Sequence, residues 1–472
     1  MAVPSPSAAQ TRPAASEPVV AMHILVSSVF LAVGSALYLL SLASVVFPDV
    51  FADAVSFGRL RPAAMSATMI GWLTISLLGG AYYLLPRLTG VALRRPQLAR
   101  LTAVGLAAVA ILGMVLNLVG MGDGAEPLGY PWWLDLVLLV LLTLPLIITV
   151  ETVRARVEPI SYVSLWFVLA GVAALPLLQA AQTLEFGSTL GTSLKGLHFA
   201  AGFNAVWVIG MGVGLAYYTI VRATDLPLAN RQLTRAGFWS LMFAASWAGP
   251  LQMVYGPTPD WLDAVAAVMT LALLVGTMAH AVALGTTVAP AWESARTDPV
   301  VSATLAGAGF AVVVALLTAI GGFRSAASVV AFTPYWEGMT VGTLFGVGGL
   351  LVAGWTNQAL PVVSGRRLSS PALSSRHVRL TVWGAGSAMA LLTVSGIVTG
   401  LGWSGAAYTQ TPAFGETWET VTGSGALLFG LATVGALVMV LGAATFVISV
   451  FSTISSGTAD VTETLMSREE GT

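Results

Sequence analysis

The chain has 472 residues, of which 56% are hydrophobic and only 9% charged, with a mean hydropathy of +0.86. Soluble domains carry roughly a quarter charged residues, so this composition excludes a water-soluble protein. The net charge of −1 argues against a nucleic-acid partner, and the absence of cysteine rules out disulfides, thiolate metal sites and iron–sulfur clusters.

In chain order the predicted elements are membrane spans. The first 18 residues, rich in Pro, Ala and Ser, read as a disordered segment. They lack the basic start and short apolar core of a cleaved signal peptide, so the first span is expected to stay. Twelve apolar stretches long enough to cross a bilayer follow. They cover 20–47, 63–86, 101–121, 132–153, 162–181, 196–221, 238–254, 261–289, 301–321, 338–358, 380–401 and 422–450. The transmembrane domain is thus expected over 19–452, with 453–472 as a polar tail. Fifty glycines suit helices that pack through small residues. Numbering the connections alternately puts sixteen of the twenty basic residues on the same side as both termini. The other side holds only Arg59, Arg61, Lys195 and Arg324, with most of the loop carboxylates. This positive-inside pattern predicts a multi-pass protein of the cell (plasma) membrane with both termini cytoplasmic.

Several motifs recur at separated landmarks. Phe57-Gly58-Arg59-Leu60-Arg61-Pro62 precedes the second span, which ends in Tyr82-Tyr83-Leu84-Leu85-Pro86-Arg87. The sixth span begins Leu197-His198-Phe199-Ala200-Ala201-Gly202-Phe203-Asn204 and ends near Tyr217-Tyr218. The seventh contains Trp247-Ala248-Gly249-Pro250, followed by Pro259-Asp260-Trp261, and Arg296-Thr297-Asp298-Pro299 follows the eighth. Taken in order over most of the chain, this set resembles subunit I of the haem-copper oxidases, closest to the cbb-type (C-family) cytochrome c oxidases, whose relatives include nitric oxide reductases. The resemblance implies an all-α integral membrane fold, a twelve-transmembrane-helix bundle of the subunit I type.

It also implies six imidazoles: two for a low-spin haem, one for a high-spin haem and three for copper. Carried over by motif, these positions mostly lack one. A low-spin haem-ligand position becomes Ala64, and the paired haem-ligand positions of the tenth span become Met339 and Val341. Of the copper-ligand positions only His198 is retained; the other two are Leu251 and Gln252. The active-site tyrosine position is Ala245. Alanine, valine and leucine offer no lone pair, and a glutamine amide is a poor copper ligand. Met339 is a candidate substitute, because thioethers ligate haem iron. Met65 lies one residue from Ala64, about 100° around its helix. Haem b is the family expectation, but no cofactor is expected here, and the catalytic set is empty.

The remaining histidines have ordinary readings. His23 can bond a carbonyl in the first span, His280 is far in sequence from other candidate ligands, and His377 beside Arg376 reads as a solvated helix-start residue. Ionisable groups in spans are costly and therefore informative. Asp135, Glu151 and Asp263 lie near span ends, where snorkelling suffices. Glu337 sits at the mouth of the tenth span, and Arg61 is expected to pair with Asp53 or Glu337; by resemblance Arg61 would meet haem propionates. Lys195, three residues before His198, joins Glu337 and Arg61 as a candidate cavity residue. No phosphate loop, metalloprotease motif or transporter-like duplication is present.

Three functions follow. The first is a non-catalytic structural or assembly component of a respiratory-type membrane complex, partnered by the bilayer and other oxidase-like subunits. The second is a small-molecule or ion-binding or conducting protein using an emptied cavity. The third is a true terminal oxidase or reductase with unusual haem ligation.

Overall fold

A computed structural model describes residues 17–456 apart from 52–54, 160, 185–186, 254–257 and 410–413. The expected terminal tails fall almost wholly outside these residues, as does Asp53. The first helix nevertheless begins at Glu17 and the last runs to Ser456, a few residues beyond the expected domain ends.

Long apolar runs force helices here, because hydrocarbon cannot satisfy backbone N–H and C=O groups and a helix pairs them internally. Among the described residues there are helices and no strand. In order the long ones are α1 (Glu17–Val46), α2 (Phe57–Thr89), α3 (Pro96–Leu118), α4 (Trp132–Arg154), α5 (Val163–Gln182) and α6 (Thr189–Thr224). They continue with α7 (Arg231–Ala245), α8 (Asp260–Val288), α9 (Pro299–Gly322), α10 (Tyr335–Ser364), α11 (Pro371–Thr409) and α12 (Phe414–Ser456). Eleven of these are long and apolar enough to cross a bilayer; α7 is not among them. Its 15 residues span about 22 Å, against roughly 30 Å of hydrocarbon. It starts and stops earlier than the expected 238–254. The stop falls just before Gly249-Pro250, where the chain tightens into a 3₁₀ turn over Gly249–Met253; proline removes a helical N–H bond and crowds the carbonyl one turn back, and the glycine before it adds to the cost of helix.

Loop contacts confirm the alternation of helix ends. At the arginine-rich end, Arg95 before α3 pairs with Glu151 of α4 at 2.7 Å. Arg366 after α10 donates to the Ile454 carbonyl of α12 at 2.6 Å. At the arginine-poor end, Arg61 of α2 meets Glu126 from the α3–α4 loop and Glu337 of α10, each at 3.0 Å.

α2, α6 and α10 form the centre: their most apolar windows are 100%, 78% and 94% buried. Each carries a π-helical stretch midway, over Ser66–Thr74, Phe203–Met211 and Gly342–Gly348. Widening the helix frees carbonyls, and the Thr74 hydroxyl answers one by donating to the Met69 carbonyl at 2.7 Å. Glycines let these helices approach closely. A Cβ on Gly71 would stand 2.3 Å from a Phe30 ring carbon, one on Gly212 2.7 Å from Leu351, and one on Gly348 2.8 Å from Leu73. The Trp72 and Phe345 rings stack at 5.6 Å, with Tyr38 edge-on to Phe345 at 5.2 Å.

The tightest tests of this packing are glycines that face backbone. A Cβ on Gly396 of α11 would lie 2.3 Å from the Tyr335 backbone nitrogen, whereas one on Gly309 of α9 meets nothing within 4 Å. Gly396→Ala is expected to destabilise the protein by about 1–3 kcal/mol through overpacking. Gly309→Ala should be neutral or slightly stabilising; thermal unfolding of both variants in detergent checks the contrast.

Candidate functional site

Two groups of polar residues occupy the arginine-poor end of the bundle. The first is built on α1, α2 and α10. Arg61 presents a guanidinium whose side chain is only 16% exposed, and Glu337 opposite it is 13% exposed. Glu337 Oε2 accepts from Arg61 Nε at 3.2 Å and Nη2 at 3.0 Å, while Oε1 accepts a short hydrogen bond from the Tyr38 hydroxyl. Arg61 Nη1 also donates to Glu126, whose side chain is 72% exposed. Arginine keeps its charge in proteins, so a carboxylate must answer it here. The expected Arg61–Glu337 pairing is thus observed, and Tyr38 and Glu126 extend it. A tyrosine on the same stretch as His23 and five serines was the available signal for Tyr38; nothing local marked Glu126.

One turn below this ion pair lie Ala64 on α2 and Val341 on α10, both fully buried, while Met339, 5% exposed, belongs to a separate cluster. Met339 packs with Val314, Val330, Tyr335 and Met389.

His198 of α6 is half-buried against the turn after α7: a Cβ on Gly249 would lie 3.0 Å from its Nδ1. It makes no hydrogen bond with a described residue. In the same turn Leu251 is buried, its Cδ1 2.6 Å from where a Gly322 Cβ would be, and Gln252 is exposed. Ala245 packs on Ala205 and Val206 of α6. The structure therefore brings His198 to the turn that carries Leu251 and Gln252. It places Ala64 and Val341 in the main core one turn from Arg61 and Glu337, and Met339 apart from them in the cluster with Val314 and Met389. Among the described residues, no three of His, Asp and Glu cluster as a metal site would need.

Lys195 departs from the expectation that grouped it with His198 and Glu337. Its ammonium donates to the Gln182 and Leu184 carbonyls at the end of α5, at 2.8 and 3.2 Å. A cation is favoured at such a helix C-terminus by the exposed carbonyls. Beside it opens a crevice lined by Asp123, Tyr130, Asp135, Gln182 and Lys195; His198, Arg61 and Glu337 do not line it. Burial pushes the Asp123 carboxyl upward, opposed by the Ala125 N–H and the Lys195 charge.

Other assignments need correcting. His377 is not solvated: it is 2% exposed, its Nδ1 lies 2.8 Å from the Gly442 carbonyl, and its ring tilts against Phe446. It sits a turn and a half inside α11, where α12 covers it. Asp263 lies in the first turn of α8, as expected, but is buried there and accepts from the Thr258 hydroxyl at 2.8 Å. Asp135 does not need to snorkel, since Gln179 Nε2 donates to its Oδ1 at 2.8 Å. His280 is bonded to the Tyr217 hydroxyl at 2.6 Å, and His23 meets a carbonyl as expected, that of Val19 at 2.8 Å.

A family model described as "Cytochrome C and Quinol oxidase polypeptide I" matches residues 18–438. This chain belongs to that family. Among its relatives, cytochrome c oxidase subunit 1 of Rhodobacter capsulatus is 26% identical over 363 residues, covering 74% of this chain and 68% of that one. The Cbb3-type cytochrome c oxidase subunit CcoN1 of Stutzerimonas stutzeri is also 26% identical over 363 residues, covering 74% and 76%. A solved haem-copper terminal oxidase dimer superposes with a TM-score of 0.77 at 13% identity, over 94% of this chain and 84% of that one, a likeness of fold. The chain is therefore an oxidase subunit I-like, multi-pass membrane protein of the haem-copper superfamily.

The Arg61–Glu337 pair yields a direct test. Glu337→Gln leaves a buried guanidinium without its main anion and should cost about 3 kcal/mol. Glu126→Gln, at an exposed carboxylate, should cost under about 1 kcal/mol. Replacing both Arg61 and Glu337 by Met should recover most of the single-variant loss, because no uncompensated charge remains; unfolding midpoints of the three variants decide this.

Proposed function

We propose that this protein is a non-catalytic member of the oxidase subunit I family, a structural or assembly component of a respiratory-type complex in the plasma membrane with both termini cytoplasmic. The observation that carries the reading is the donor set. At the positions that correspond by motif to haem and copper ligands, the side chains are Ala64, Val341, Met339, Leu251 and Gln252, with His198 the sole imidazole. A haem needs an axial nitrogen or sulfur, and a three-histidine copper site needs neighbours for His198 that these residues do not supply. Met339, the remaining thioether, is enclosed in an apolar cluster.

Space supports the same reading. The centre of the bundle, where a cofactor would part the helices, is filled by the Trp72–Phe345 stack and by Phe30 against Gly71. The residues present therefore do not fit haem or copper. The positive-inside distribution, with sixteen of twenty basic residues on one side, supports the orientation. Retention of the whole scaffold without the donors favours a role in which the surface of the bundle, rather than its centre, is used.

Protein purified from its native membrane is expected to show no stoichiometric haem by pyridine haemochrome and no reducible Soret band. It should co-purify with other membrane subunits. One haem per chain would refute the proposal in favour of unusual ligation, and a monomer without partners would remove the assembly role.

A further inference from the structure

The short helix α7 presents a row of four side chains spaced four residues apart: Arg231, Arg235, Trp239 and Phe243. That spacing sets them along one slanting ridge of the helix. All four are exposed, Trp239 at 66% and Phe243 at 59%, so the described part of the chain leaves the ridge open to its surroundings. Two cations come first, at the arginine-rich end of the bundle, and two aromatic rings follow toward its middle. From Arg235 to Phe243 the helix rises about 12 Å, close to the roughly 15 Å of hydrocarbon in one leaflet.

The start of α5 builds the facing side. Arg235 Cζ lies over the Trp166 ring, 5.9 Å from its centre, and Trp166 is held in turn by Nε1 donating to the Ser161 hydroxyl at 2.9 Å. Tyr162, one turn before Trp166, is near enough to Arg231 for that charge to act on its hydroxyl. Two rungs, Arg231–Tyr162 and Arg235–Trp166, therefore cross from α7 to α5. Toward the middle of the bundle the aromatic contacts continue, Phe238 edge-on to Trp166 at 5.7 Å and Trp239 edge-on to Phe238 at 5.3 Å. Arg222, at the end of α6, adds a third guanidinium, whose charge acts on Tyr218 beside Tyr162. Elsewhere at this end carboxylates answer the arginines: Arg95 meets Glu151 and Arg296 meets Glu293. Among the described residues Arg222 and Arg235 form no ion pair. A guanidinium laid over a ring keeps the N–H groups at its edge for an external anion, and phosphate is an anion that its fork matches.

We propose that the α7 ridge and the start of α5 bind one anionic phospholipid, its phosphodiester on Arg231 and Arg235 and one acyl chain along Trp239 and Phe243. Any lipid covers the two rings equally well; the arginines choose the headgroup, as basic pockets between transmembrane helices do. The occupant is a lipid and not a free phosphate because cations and rings share one continuous ridge a leaflet deep. The inference stands apart from the proposed function, since it needs only that the bundle lies in a membrane and involves none of the ligand positions discussed there.

The test is native mass spectrometry of the full-length protein, delipidated in detergent and titrated with phosphatidylglycerol or with phosphatidylcholine of the same acyl chains. The expected result is one phosphatidylglycerol per chain, bound about thirtyfold more tightly than phosphatidylcholine. Arg235→Gln should weaken phosphatidylglycerol by about fivefold and the double variant Arg231→Gln/Arg235→Gln by about thirtyfold, leaving phosphatidylcholine unchanged. Arg235→Lys, which keeps the charge, should retain most of the preference, and Trp239→Ala should weaken both lipids alike. Equal affinity for the two lipids, a preference that survives in the double variant, equal competition by glycerol 3-phosphate, or a lipid-free dimer that buries the ridge would overturn the proposal. Matched melting temperatures of variants and parent verify folding, and the ratio of the two lipids on the parent decides even where a variant unfolds.

Discussion

Burial of the Arg61 guanidinium constrains the rest of the molecule. A permanent positive charge near a low-dielectric interior demands an anion with matching geometry, and Glu337 provides it with both carboxylate oxygens in use. Because Arg61 is on α2, Glu337 on α10 and Tyr38 on α1, one carboxylate sets the relative height of three helices. Below it the same helices meet through glycines and aromatic rings, contacts that reward close approach but specify register weakly. The ion pair therefore does for the bundle what a single buried polar residue does for a coiled coil: it selects one alignment among several apolar ones.

That alignment fixes what lies beneath. Ala64 is three residues along α2 from Arg61, and Val341 four along α10 from Glu337, so both face the same seam one turn down. Neither side chain can donate to a metal, and the next layer is the Trp72–Phe345 stack. On the proposed reading, side-chain volume does in this protein what a cofactor would do elsewhere: it holds the central helices apart and gives them something to pack against. The π-helical stretches in α2, α6 and α10 belong to this central layer and bring more side chains per turn toward it.

Much of this was legible in the sequence because a bilayer imposes length and polarity so strictly. The span positions and the alternation of arginine-rich and arginine-poor ends follow from apolar runs and nineteen arginines, with eleven of the twelve expected spans long enough to cross, while the family fold was read from the ordered motifs that resemble oxidase subunit I. The seventh helix was placed too late because its apolar run continues past Gly249-Pro250, where the chain has left the α-helix for a 3₁₀ turn. His377 was misread because its neighbours Arg376 and Arg379 suggested solvent; on a helix they flank a face that α12 covers. Lys195 was misassigned because helical spacing links it to His198, while the long side chain reaches sideways to the end of α5. The crevice was invisible for a related reason: Asp123, Asp135 and Gln182 are scattered over sixty residues and converge only once α4, α5 and α6 are packed. Gln179 and Gln182, two amides on one face of an otherwise apolar span, were the local sign that something polar lay opposite.

The histidines carry the argument to its end. A metal-ligating imidazole commits one ring nitrogen to the metal and is oriented by a partner on the other. In His23 and His377, Nδ1 is held by a backbone carbonyl, and in His280 by the Tyr217 hydroxyl. The Nε2 atoms of all three are buried and, among the described residues, unpartnered; each ring contacts an aromatic neighbour, Tyr82, Phe446 or Phe167. Half of the requirement for ligation, an oriented ring with a buried second nitrogen, is therefore met three times over. The other half, convergence of donors, is not met among the described residues: the three rings stand on α1, α8 and α11, and no group of three histidines, aspartates or glutamates forms. What separates a ligand site from a set of buried imidazoles is convergence, and convergence is a property of helix packing that no single histidine in a sequence can announce.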